Sequence, residues 1–192
     1  MIRKLAIYGT AALMAAAVLS CKESNRENSP VRLVVTTAQT LNRIDLKPGA
    51  SGCNVSIGTV TVQAIIVQNS SGTLVTNPAL DTVVINQYRV SYVRTDGGTQ
   101  VPAPFTRSVS FTVTTGGTGV PTTFLGFQTD AINQAPFAAL LPQNGGRDPQ
   151  TGRSVVQMDL VLEVFGQTLA GEPVSGVTRV PLDFCYDCNG CA

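Results

Sequence analysis

The chain contains no histidine and no tryptophan. The first absence excludes Ser-His-Asp and Cys-His nucleophilic catalysis, histidine metal sites and the usual proton shuttle of neutral pH. The second, with aromatics at only 6%, reduces any sugar-stacking platform to four tyrosines. Charge is scarce as well, at 13% of residues. No cluster of Lys or Arg follows Arg3 and Lys4, whereas a grip on nucleic acid needs such a patch. Nucleic acid is therefore not expected as a partner. The longest apolar run, Leu5 to Leu19, falls short of the ~20 residues that a bilayer core requires.

That run has the form of an export signal. Arg3 and Lys4 make a basic start, an almost wholly apolar and uncharged segment follows, and a small residue, Ser20, precedes Cys21. A cysteine at the cut point has a chemical use if its thiol is acylated and its freed amine becomes the new terminus. Val18-Leu19-Ser20-Cys21 resembles the lipobox of bacterial lipoproteins. The resemblance covers residues 1–21 and implies that 1–20 is a signal peptide and that Cys21 carries lipid. In Gram-negative members of that family, a residue other than aspartate after the cysteine, here Lys22, implies an outer-membrane address. Each buried methylene contributes about 0.8 kcal/mol, so two or more chains make the attachment stable. Without Arg3 and Lys4 the basic count falls from 13 to 11 against 12 acidic residues, a net charge near −1.

Residues 22–30, KESNRENSP, are polar and aperiodic, which reads as a tether after the lipidated cysteine. A flexible segment of that length has a typical span of about 15–18 Å. The body is then a single domain over 31–184. Its Val, Thr, Gly and Ser favour strands and turns over helices.

Alternation predicts strands over 31–37, 59–67 and 82–94, the last bent or bulged near Asn86. Residues 42–54 read as a polar connection holding Cys53. Asp96-Gly97-Gly98 is a turn, and Pro102 and Pro104 keep the next residues out of a central strand. Val109, Phe111 and Val113 alternate with Ser and Thr; 122–129 is a further strand. Pro136, Phe137, Leu140 and Leu141 predict one short helix within 135–141, and 144–153 is a polar loop. Val156, Met158, Leu160, Leu162 and Val164 give the most regular inward face, and Val180, Leu182 and Phe184 close the body. About seven strands with one helical turn predict an all-β fold, an antiparallel sandwich of immunoglobulin or fibronectin-III type. The stretch from Tyr88 through Asp96-Gly97 to Val101-Pro102-Ala103-Pro104-Phe105 also resembles a segment of bacterial lipoproteins that carry such sandwiches.

Five cysteines are present, so four remain once Cys21 is acylated: Cys53, Cys185, Cys188 and Cys191. Three of these lie in the tail, residues 185–192. Outside the cytosol an even count favours disulfides, and the three pairings stay open. Complete pairing ties Cys53 to the tail in every case. Two rival uses are a metal or iron–sulfur site built from the CxxCxxC tail with Cys53, and a redox-active Cys188/Cys191 pair. Asp159 and Glu163 share a strand face but lie about 13 Å apart at strand rise, too far for paired-carboxylate hydrolysis. A solvated sheet face is their expected role. Asp130, Asp148 and Asp187 are loop carboxylates without EF-hand spacing. Tyr88 and Tyr92 project to one side, and core packing is expected over an exposed stripe.

Together these features predict a non-enzymatic envelope protein without a cofactor. It would be held to the membrane by its N-terminal lipid and meet another envelope protein. The alternatives are the redox or metal tail, and glycan or small-ligand binding on the sandwich surface. Mass spectrometry of protein extracted from membranes is expected to find a chain that begins at acylated Cys21, with its other four cysteines blocked. An uncut chain with five free thiols would contradict the reading.

Overall fold

The computed structural model describes residues 29–37, 42–47, 56–67 and 80–188. Among them, eight strands form two sheets. The strands are β1 (Val31–Thr37), β2 (Asn42–Asp45), β3 (Ser56–Ile66), β4 (Val83–Arg94), β5 (Phe105–Val113), β6 (Val120–Leu125), β7 (Val155–Thr168) and β8 (Pro173–Cys185). One sheet has the order β1-β3-β6, the other β2-β8-β7-β4-β5. Between β6 and β7 lie a four-residue helix α1 (Phe137–Leu140) and two 3-10 turns, Thr129–Asn133 and Pro142–Asn144.

The all-β expectation holds, with two corrections. The segment 42–54 is not only a connection: Asn42–Asp45 pairs with Leu182–Cys185, and it does so in parallel. The sheets are therefore not purely antiparallel, and the strands number eight. The strand expected at 122–129 begins and ends earlier, because Phe127 and the 3-10 turn already belong to the cap that closes one end beside α1. The irregularity expected near Asn86 is present. The register of β4 shifts between Ile85 and Gln87 against both β5 and β7, so Asn86 and Gln87 both face outward.

Alternation puts Val83, Ile85, Val90, Leu160, Leu162, Val164 and Val180 of the larger sheet inward, against Val60, Val62 and Ala64 of β3. Tyr88 and Tyr92 join that core, as expected, and their hydroxyls cross between the sheets. The Tyr92 hydroxyl donates to the Gly126 carbonyl at 2.8 Å, and the Leu125 N–H donates to the Tyr88 hydroxyl at 3.3 Å. A buried tyrosine with a partnered hydroxyl combines apolar burial with orientation. Burial pushes the Tyr92 hydroxyl above its ordinary pKa. Phe127, Phe137 and Phe184 stack edge-on or tilted, with centroids 4.5–6.1 Å apart, and seal one end under α1.

The strands run between two ends. The N-terminal end collects Pro30, Val67, the β5–β6 connection and the β7–β8 hairpin, and the far end collects everything from Arg94 to Phe105 and from Leu125 to Val155. Gly176 in β8 lets β1 approach closely. A Cβ there would lie 2.8 Å from the Leu33 Cβ and 2.9 Å from its carbonyl oxygen. Gly176→Ala is expected to cost about 1–3 kcal/mol by overpacking. Urea unfolding would show this as a lower midpoint at unchanged slope. An unchanged midpoint would mean that β1 is not seated against β8 as described.

Candidate functional site

The far end holds the main polar structure of the described residues, built on the last residue of β4. The Arg94 guanidinium grips Asp96 with two hydrogen bonds, Nε at 2.7 Å and Nη2 at 2.8 Å. Nη2 also donates to Asp148 Oδ2 at 2.8 Å, and Nη1 donates to the Gln100 carbonyl at 3.1 Å. The three side chains are at most 1% exposed. Asp96 further accepts the Gly98 and Gln157 backbone N–H groups at 3.1 and 3.0 Å. Asp148 Oδ2 accepts the Thr151 N–H at 3.1 Å and its hydroxyl at 2.8 Å.

This cluster fastens two loops to each other. Gln150 Oε1 accepts the Thr99 and Gln100 N–H groups at 2.7 and 3.0 Å, and Gln150 Nε2 donates to the Thr99 hydroxyl at 3.0 Å. Residues 95–104 and 145–153 therefore form one platform, whose outer surface includes Thr95, Thr99, Gln100 and Val101. Gln157 carries the network onward, donating from its side chain to Asp183 on β8 at 3.0 Å.

Burial alone would raise both carboxylates, but hydrogen bonds and charge from Arg94 outweigh it. Asp96 is held down to about 2, and Asp148 also lies below its ordinary value. For the guanidinium, burial acts to lower the pKa, and Asp96 and Asp148 raise it above the usual value. The groups therefore stay ionised over the whole physiological range. Asp148 Oδ1 is buried without a hydrogen-bond partner, and the cluster holds one more negative charge than positive.

A second polar fastening lies nearby. Cys185 and Cys188 are joined in a disulfide with Cα atoms 6.0 Å apart. Asp45, at the end of β2, accepts the Lys47, Asp187 and Cys188 N–H groups at 2.9, 2.9 and 3.1 Å. Asp187 adopts a left-handed φ of 52°, which aspartate tolerates better than most residues. The short β2 thus places a carboxylate under the disulfide loop and holds it against the sheet.

The other sequence candidates separate. Cys188 bonds Cys185, not Cys191 as the redox pairing required. Cys21, Cys53 and Cys191 lie outside the described residues. Tyr88 and Tyr92 are core residues, so they offer no exposed stripe for a glycan. Asp159 and Glu163 face outward on β7, opposite Pro181 and Val177, and Arg179 lies 3.9 Å from Asp159. That is a solvated sheet face. Asp187 pairs with Lys47 at 2.8 Å on the surface, and Asp130 lines a cleft with Arg107 and Phe127. Among the described residues, no three His, Cys, Asp or Glu side chains group as metal ligands.

Arg94→Ala is expected to cost about 3–5 kcal/mol, because it leaves two buried carboxylates uncompensated. The pH dependence follows from the lowered carboxylates. Asp96 contributes its full stabilisation above its unfolded value of 3.8, and this is lost as pH falls towards about 2. Acid unfolding of the wild type should therefore steepen below pH 4, and Arg94→Ala should flatten that limb. Equal acid limbs in the two proteins would contradict the assignment.

Comparison of the chain with models of known protein families, with curated proteins and with solved structures gave no match.

Proposed function

We propose that the chain is a lipid-anchored protein of the Gram-negative cell envelope, held in the outer membrane through Cys21. Its body would be an immunoglobulin- or fibronectin-III-like sandwich that presents its far-end loops to another envelope protein, without catalytic chemistry of its own. The observation that carries this reading is the buried Arg94–Asp96–Asp148 cluster, which fixes two loops at the end opposite the tether. Loops that served only as connections would not need an internal ion pair, since a flexible polar loop is satisfied by water. Loops fixed before binding lose little freedom when a partner arrives, and that is how a rigid scaffold raises affinity.

Two features support a binding role over a catalytic one. The sequence has no histidine, and both carboxylates of the cluster are held ionised, Asp96 by Arg94 and two backbone N–H groups, Asp148 by Arg94 and Thr151. A general acid or base needs a group poised to exchange a proton near the working pH, and these are driven away from it. The disulfide between Cys185 and Cys188 bears on the four-thiolate metal reading, since two of the four sulfurs it needs are already bonded to each other.

The test is capture of envelope proteins from gently solubilised membranes by the acylated wild type and by a Thr95→Arg/Val101→Arg variant. Both substitutions lie on the outer surface of the loops. The wild type should retain a specific partner, and the variant should bind it at least about tenfold more weakly, as loss of a modest hot spot predicts. Equal retention by the two proteins would remove the far-end loops from the binding surface.

A further inference from the structure

The two ends of the molecule differ in what they offer to their surroundings. Far-end loops are polar and clamped. The N-terminal end instead carries three of the six large apolar side chains that stand exposed among the described residues: Val67 at 41%, Leu80 at 47% and Leu169 at 58%. Backbone hydrogen bonds hold Leu80 against the β7–β8 hairpin, and Val67 borders a cleft shared with Gln167 and Pro173 at the hairpin's base. Val67 N–H donates to the Pro30 carbonyl at 2.7 Å, Leu169 N–H to Thr82 at 2.9 Å, and Ala170 N–H to Leu80 at 3.3 Å. Leu169 and Ala170 form the tip of the β7–β8 hairpin. That tip is tight, closed by Thr168 N–H to the Glu172 carbonyl at 2.9 Å and Gly171 N–H to Thr168 at 2.8 Å. The positive φ that such a turn needs falls on Gly171, at 89°, while the two residues before it are apolar, Leu169 and Ala170.

The length and place of the chain that precedes the described residues point to what covers this end. Ser29 and Pro30 leave the body at this end, beside Val67. Only the nine residues 22–30 separate the body from Cys21. Nine residues reach at most about 32 Å even when fully extended. β7 alone has 14 residues, about 45 Å of strand between the two ends. An anchor at Cys21 therefore keeps the N-terminal end within reach of the bilayer, and a body standing on that end carries its far end well away from it.

We infer that the N-terminal end is a second membrane contact. Leu169 at the hairpin tip, with Leu80 and Val67 beside it, would enter the boundary between headgroups and acyl chains of the membrane that holds the lipid. Arg32 lies beside Val67, Asp81 follows Leu80, and Glu172 belongs to the hairpin tip, so charged side chains accompany the apolar ones at this end. The contact adds little to the affinity of a multiply acylated chain. It sets orientation: the body stands on its hairpin tip with the far-end loops directed outward. This inference rests on the anchorage reading, and the experiment separates the two.

The absence of tryptophan makes the test clean, since one introduced indole is the sole reporter. Acylated full-length Leu169→Trp and, as a control on the open sheet face, Val177→Trp would be purified from membranes. Each would be reconstituted into phosphatidylethanolamine/phosphatidylglycerol vesicles with brominated acyl chains. Emission from the Leu169→Trp protein should shift to shorter wavelength and be quenched by the bromine atoms, while the Val177→Trp protein should show neither effect. An indole at the hairpin tip that is open to aqueous acrylamide and unquenched by bromine faces water, which overturns the proposal. One that is shielded from acrylamide yet unquenched by bromine is covered by protein, a second copy or a partner, and that overturns it too. Equal quenching in the two variants would show no fixed orientation and overturn it likewise. A chain that lacks the acyl mass and does not stay with the vesicles fails the anchorage reading itself, and the inference falls with it.

Discussion

Taking a guanidinium and two carboxylates out of water costs several kcal/mol per ion, and only near-complete pairing offsets it. Arg94 meets that condition on its own side. Its planar fork matches Asp96 in two parallel bonds, a third reaches Asp148, and a fourth goes to the Gln100 carbonyl. A lysine could supply the charge but not the fork. On the carboxylate side, pairing is complete for Asp96 and incomplete for Asp148, whose Oδ1 has no donor. The cluster thus trades some stability for a fixed geometry. What it fixes, together with the Gln150 lock on Thr99 and Gln100, is the position of two loops relative to the sheet and to each other.

The rest of the body is arranged so that this clamp has a firm base. Tyr88 and Tyr92 tie the larger sheet to the stretch around Leu125 and Gly126, close to the far end. Gln157 takes the network from Asp96 across β7 to Asp183 on β8, and Asp45 on β2 holds the disulfide loop that ends β8. Some of these ties join neighbouring strands and the tyrosine hydroxyls join the two sheets, and all lie at or towards the far end. The N-terminal end instead exposes Val67, Leu80 and Leu169. A molecule whose two ends differ in this way has a direction, and a lipid at the N-terminal end would give that direction a meaning.

Much of the fold was legible because strand side chains alternate. Val109, Phe111 and Val113, and the series from Val156 to Val164, declare an inward face without any tertiary knowledge. The irregularity near Asn86 was also visible, since the inward parity of Val83 and Ile85 does not match that of Tyr88 and Val90. β2 was not legible. Asn42–Asp45 is four residues long and mostly charged or polar, and its partner lies 140 residues away. The clamp was hidden for a related reason. Asp96-Gly97-Gly98 reads correctly as a turn, and Gly97 has the positive φ that the turn requires. Nothing local, however, marks Asp96 as the partner of a buried arginine, or Asp148, 54 residues from Arg94, as its third member. Tyrosine parity was likewise visible, but the partners of the hydroxyls were not. Periodicity reports which face is buried; it does not report which polar groups meet there.

A binding role for the far end requires that its two loops be fastened in solution. Native-state hydrogen exchange of the full chain measures this at the amides involved: Gly98, Thr99, Gln100, Thr151 and Gln157. If the clamp holds, these five exchange only through opening that approaches unfolding of the sheet, and their protection is far above that of an exposed loop. If they exchange at the rate of a free loop while the β7 and β8 amides stay protected, the loops are not fixed, and the central claim is wrong.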